Sequence, residues 1–141
     1  MSKIAVVYWS GTGNTEAMAE QVAAGARSAG AEVTVYPTGV YEGFAPRDYD
    51  AIAFGCPAMG AEELEDGEFL PMFESVESQL GSKKIALFGS YGWGDGEWMR
   101  TWEDRCRADG AVLAAESVLC NGEPDDEGND ACQSLGSALT R

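Results

Sequence analysis

Short apolar runs alternate with stretches in which apolar residues recur every third or fourth position, and this alternation continues along the whole chain. Ile4-Ala5-Val6-Val7-Tyr8-Trp9 is β-branched and aromatic, which predicts a buried strand. Met18, Val22 and Ala26, with Ala19 and Ala23 beside them, give a helix one apolar face, and that helix is expected to end near Gly30. Ala31 to Tyr36 alternates as a strand that Pro37 stops. Asp50 to Cys56 and Lys84 to Gly89 predict two further buried strands. Between them Phe69, Phe73, Val76 and Leu80 fall at helical spacing, with Pro71 tolerated in the first turn. Trp98, Trp102 and Cys106 mark one face of a helix over 98–108. Ala111 to Cys120 reads as a strand interrupted near Glu116, and Ala131, Leu135 and Ala138 mark a closing helix.

Five strand runs alternating with helices imply an α/β fold in which a parallel sheet is covered on both faces. Ligands in such sheets bind beyond the carboxyl ends of the strands, where the winding reverses. Chemistry is therefore expected at Trp9-Ser10, Cys56-Pro57 and Gly89-Ser90.

The first of these ends opens into Ser10-Gly11-Thr12-Gly13-Asn14-Thr15, between a strand and a helix. The first amides of a helix lack intrahelical acceptors and lie at the positive end of its dipole, so an anion is stabilised there. Gly11 and Gly13 let the backbone curl around such a group, and Ser10, Thr12, Asn14 and Thr15 supply side-chain donors. A phosphate cradle and an ordinary capped turn both fit these residues. Two other phosphate loops are excluded. No lysine lies between Lys3 and Lys83, so there is no P-loop, and Glu16 stands where a dinucleotide fingerprint needs its third glycine.

The loop after the third strand reads Pro57-Ala58-Met59-Gly60-Ala61-Glu62, and the one after the fourth reads Ser90-Tyr91-Gly92-Trp93-Gly94-Asp95-Gly96. A tryptophan in a glycine-rich loop either caps the core or covers something flat. Beside a phosphate cradle, a planar phosphorylated ligand accounts for both loops.

Composition narrows the partners. The chain has 141 residues, enough for one domain over 1–141, and a formal charge of −15. With pI about 4.1, this argues against nucleic acid and anionic membrane surfaces. The absence of histidine removes Ser-His-Asp and Cys-His catalysis and His-ligated metals. Cys56, Cys106, Cys120 and Cys132 form no CxxC, so buried free thiols in a reducing cytoplasm are expected, with no metal centre. The chain enters a strand at once and has no apolar run of about 18 residues, which predicts neither signal peptide nor membrane span.

Trp9 to Glu16, Met59-Gly60-Ala61-Glu62 and Gly89 to Gly96 together resemble the short-chain flavodoxins of anaerobic bacteria, in order and across the whole chain. The resemblance implies a three-layer αβα sandwich on a five-stranded parallel sheet of order 2-1-3-4-5. It implies a monomeric, low-potential one-electron carrier with non-covalent FMN and no catalytic residue. Such a carrier shuttles between redox enzymes in place of ferredoxin, and those partners would dock transiently through basic patches.

By the same resemblance, Ser10, Thr12, Asn14 and Thr15, with the amides from Gly11 through Gly13 onward, hold the phosphate, and Ser90 adds a contact. Trp93 stacks on one flavin face and Met59 lies against the other. Glu62 accepts from the flavin N3–H, and amides near Gly92 approach the pyrimidine oxygens. The walls are 57–62 (Pro57, Ala58, Met59, Gly60, Ala61, Glu62) and 90–95 (Ser90, Tyr91, Gly92, Trp93, Gly94, Asp95).

Two features bear on redox tuning. Gly60 is the first central residue of a turn over 59–62, which suits a type II′ turn with positive φ. In the family a peptide flip at this glycine turns its carbonyl toward the half-reduced flavin, and Ala61 should disfavour the competing type II turn by about 1 kcal/mol. Glu62, Glu63, Glu65, Asp66, Asp95 and Glu97 are expected to crowd one end of the sheet and oppose an anionic reduced flavin. A solvated rim with little effect at cellular salt is the alternative. An FMN reductase would need arginines for a nicotinamide cofactor, and most of the nine basic residues lie away from these loops. A phosphoacceptor receiver would need acidic residues where the first strand ends in Trp9 and Ser10.

Overall fold

Every expected strand pairs in parallel with its neighbours in the computed structural model, which describes residues 2–141. The elements are β1 (Lys3–Tyr8), α1 (Asn14–Ser28), β2 (Glu32–Tyr36), β3 (Ala51–Gly55), α2 (Phe69–Val76), β4 (Lys84–Tyr91), α3 (Glu97–Ala108), β5 (Val112–Leu113), β6 (Val118–Asn121) and α4 (Asp126–Ala138). Their order across the sheet is β2-β1-β3-β4-β5, with β6 also on β4. The expected order holds, but two segments fill its fifth position. β5 pairs with Lys84 and Ile85, and β6 with Phe88 to Tyr91. Between them the Ser117 hydroxyl donates to Glu103 Oε2 on α3 at 2.6 Å, which holds the chain off the ladder.

Strand alternation sends Ile4, Val6 and Tyr8 to one side of the sheet and Ala5 and Val7 to the other. Met18 and Val22 of α1 and Cys132 and Leu135 of α4 cover the first side. Phe69 and Phe73 of α2 and Trp98 and Trp102 of α3 cover the second. The connection from β2 to β3 carries only a 3-10 turn, Pro46–Asp48. The aromatic residues Tyr41, Phe44 and Tyr49 pack on the core there in place of a helix. The 69–80 pattern also divides, since α2 stops at Val76 and a 3-10 turn, Glu77–Gln79, carries the chain to buried Leu80. All four cysteines are free and buried, two on each side of the sheet.

Register places the strand ends that matter side by side: Tyr8 opposite Gly55, Gly55 opposite Phe88, and Phe88 opposite Val118. Beyond β3 the pairing continues, because Cys56 N donates to Phe88 O and Ala58 N to Ser90 O. The close approach requires glycine at 89, where a Cβ would lie 2.2 Å from Cys56 O. No helix among the described residues is long and apolar enough to cross a membrane.

Candidate functional site

Hydrogen bonds from three directions hold the loop between β1 and α1. Trp9 N donates to Gly55 O, and Ser10 N donates to Thr38 Oγ1 at 2.6 Å. Ser10 Oγ accepts from Gly13 N at 3.1 Å and Glu16 N at 3.2 Å, so this hydroxyl staples the loop from inside. Gly13 is the N-cap of α1 at φ 98°, a conformation that favours glycine. The amides of Thr12, Asn14 and Thr15 find no protein acceptor among the described residues. Thr15, nearly fully buried, shares a 3.0 Å hydrogen bond between its Oγ1 and Ser90 Oγ, tying this loop to β4. The Glu16 carboxylate accepts from Tyr8 OH at 3.1 Å, and burial together with that carboxylate pushes the tyrosine up to about 12.

The loop after β3 is a small hairpin. Met59 and Glu63 exchange both backbone hydrogen bonds, 2.8 and 2.9 Å, around Gly60, Ala61 and Glu62. Gly60 has φ 51°, the positive value expected, but the turn closes at Glu63, one residue later than the four-residue reading. Glu62 then also takes a positive φ, 56°, which costs a side-chain-bearing residue about 1–2 kcal/mol. A compensating contact exists. Glu62 Oε1 accepts from Glu97 N at 3.1 Å, at the amino end of α3, and the carboxylate covers Gly94, where a Cβ would meet it at 2.6 Å. Glu62 thereby joins the two walls.

Glu65, expected among the rim charges, is instead 9% exposed. Its carboxylate accepts from the amides of Gly67, Glu68 and Phe69 at 2.7–2.8 Å, at the start of α2. Burial alone would raise its pKa, but these three amides outweigh that and hold it below the usual carboxylate range. Its charge is held by these amides inside the protein and is not displayed on the rim. Asp95 is exposed and paired with Arg100 at 3.1 Å, while Glu62, Asp95 and Glu97 bring their carboxylates within 4.8 Å of one another.

The three loops enclose a cleft of about 270 Å³. Of the expected site residues it brings together Gly11, Thr12, Asn14, Thr15, Pro57, Ala58, Met59, Ser90, Tyr91 and Gly92. Ser10 and Gly13 shape the loop beneath it, and Gly60 and Ala61 sit at the exposed hairpin tip. Glu62, Gly94 and Asp95 lie toward α3. Trp93 stands 66% exposed on the 90–95 loop. Trp9 and Gly122 also line the cleft; the sequence reading marked Trp9 as a strand end without giving it a role in the site, and missed Gly122. Gly122 follows β6, so the rule that sites gather at strand ends would have found it had the fifth strand been divided. Thr38, which anchors Ser10, comes from a loop with no motif.

Among the described residues no charged side chain lines the cleft, so any anion held there relies on amides, hydroxyls and the α1 dipole. The free amides at one end and the apolar, aromatic walls at the other suit a phosphorylated planar molecule.

Known proteins resemble the chain over nearly its whole length. A sequence model described as Flavodoxin matches residues 6–136. The chain is 42% identical to a flavodoxin of Clostridium beijerinckii over 134 residues, covering 95% of this chain and 96% of that one. It is 43% identical to a flavodoxin of Megasphaera elsdenii over 141 residues, covering 98% of each. The solution structure of the two-electron reduced Megasphaera elsdenii protein superposes with a TM-score of 0.84 at 44% identity, covering 96% of this chain and 97% of its own.

Proposed function

The chain belongs to the flavodoxin family, electron-carrying flavoproteins and not enzymes with a substrate of their own, and from that premise we propose that its flavin is FMN, bound non-covalently by one domain spanning 1–141. The observation that carries the reading is the cleft itself: unpaired amides at the start of α1, flanked by hydroxyls, open toward walls that bear an exposed tryptophan and methionine. FMN supplies one-electron redox chemistry that no side chain here provides.

In this reading the amides of Thr12, Asn14 and Thr15, with the hydroxyls of Ser10, Thr12 and Thr15, hold the phosphate dianion, and Ser90 orients Thr15. Met59 and Trp93 take the two faces of the ring system. Glu62 keeps one oxygen on the Glu97 amide and offers the other to the flavin N3–H. Amides near Gly92 serve the pyrimidine oxygens. The exposed carboxylates of Glu63, Asp66, Asp95 and Glu97 form the outer rim. They serve a monomeric cytoplasmic carrier of low potential, which meets basic redox partners transiently and takes the place of ferredoxin between them.

Purification tests the reading. A yellow protein that releases one equivalent of FMN on denaturation is expected, with no steady NAD(P)H oxidation unless a partner reductase is added. A colourless protein that does not take up FMN would overturn it, and unaided NAD(P)H turnover would favour a reductase.

A further inference from the structure

We infer that Glu65 is a positioning residue for the flavin-side hairpin: its side chain and backbone fasten the neck of the 57–64 loop. The inference rests on the flavodoxin reading for its redox consequence, while its structural part stands alone.

The hairpin that carries Met59 and Glu62 hangs between two fixed points. One is Cys56 at the end of β3, whose carbonyl accepts from the buried Trp98 indole at 3.1 Å. The other is Glu65. Between them a single cross-link closes the neck, Glu65 N donating to Cys56 Sγ at 3.4 Å, and the same thiol donates to Pro57 O at 3.6 Å. From Glu65 the carboxylate reaches forward to three consecutive amides, and its carbonyl accepts from Leu70 N at 2.9 Å. The residue thus joins the loop to α2 on one side and to β3 on the other. Among the described residues, the exposed hairpin, with two residues at positive φ, is otherwise held to the rest of the protein by the Ala58–Ser90 backbone bond and by Glu62 on the Glu97 amide. Loosening the neck would therefore change how readily the peptide at Gly60 reorients.

The competing role is electrostatic, since an acidic residue near a flavin opposes the negative charge of reduction. The two roles separate in Glu65→Gln, which removes the charge and sets an amide NH2 against donor N–H groups. Hydrogen exchange in the FMN-free protein is the first readout. Met59 and Glu63 amides should exchange about tenfold faster or more, while Gly13 and Glu16 amides in the phosphate loop stay unchanged. In the FMN-loaded protein the separation between the two one-electron potentials should change, and that change should persist at high salt.

Unchanged exchange at Met59 and Glu63, with only a rise of the second potential, would overturn the inference in favour of charge alone. If Glu65→Gln does not fold, Cys56→Ala removes the neck cross-link together with the thiol's bond to Pro57 O and should accelerate exchange at the same two amides. Unchanged exchange there would equally refute it. Failure of the wild-type protein to bind FMN would refute the functional reading and leave the exchange result interpretable.

Discussion

At Gly60 the backbone adopts φ 51° with open space where a Cβ would stand, so conformation alone, and not crowding, selects glycine. Gly60→Ala should therefore cost about 1–2 kcal/mol in this conformer. Because 1.4 kcal/mol corresponds to about 59 mV for one electron, the first reduction potential should move by several tens of millivolts, as read by redox titration. Ala61→Gly should shift the same balance by about 1 kcal/mol through the other conformer, because Ala61 takes no positive φ here but would have to in the competing type II turn. The glycine's conformation was legible from its place between Met59 and Ala61. The two functions of Glu62 and Glu65 were not. Both look like members of one acidic run, Glu62 to Asp66, yet one caps α3 across the cleft and the other serves the amides of α2. Sequence shows that a charge is present and not which amide faces it.

Among the elements, the α1–α4 contact depends on two glycines that sequence periodicity does not single out. A Cβ at Gly25 would lie 2.0 Å from Gln133 O, and one at Gly136 would lie 2.0 Å from Val22 O. The helices meet backbone to backbone there. Gly25→Ala raises helix propensity by about 1 kcal/mol, but the clash should dominate and destabilise by about 3 kcal/mol or more. A denaturant midpoint that does not fall would contradict this. The apolar faces of these helices were readable from Met18, Val22, Leu135 and Ala138; that they approach so closely is a property of the pair. On the other side of the sheet, α3 is tied to the turn after α2 by Arg105, which makes two bonds to Glu77 at 2.6 and 2.7 Å and lies 5.5 Å from the Phe73 ring centre. Asp109 beside them is pushed up to about 6 by burial and by Glu77. Its contribution to stability is complete below its ordinary pKa of 3.8 and is lost as pH rises through about 6. The stability of Asp109→Asn relative to wild type should thus increase from pH 4 to pH 7 in parallel urea titrations.

For the molecule as a whole, the parallel sheet, its order and the cluster of loops at one end were all legible, because buried strand runs and glycine loops leave few topologies. The divided fifth strand and the helix-free crossover after β2 were less so, since each rests on a distant side chain: Glu103 for Ser117, and the aromatic core for Tyr41 and Phe44. The net charge of −15 acts at this scale as well. Association with a basic redox partner should slow by about tenfold or more between low and high salt, as measured by stopped flow. Rates indifferent to salt would count against electrostatic steering. The four buried thiols give the fold one more property. Burial pushes Cys56, Cys106 and Cys132 up to about 12 and raises Cys120, so an alkylating reagent at neutral pH finds neither access nor thiolate until the structure opens. Two of these thiols report on the α2/α3 layer and two on the α1/α4 layer. The order in which they become labelled is a clock for which half of the sandwich comes apart first.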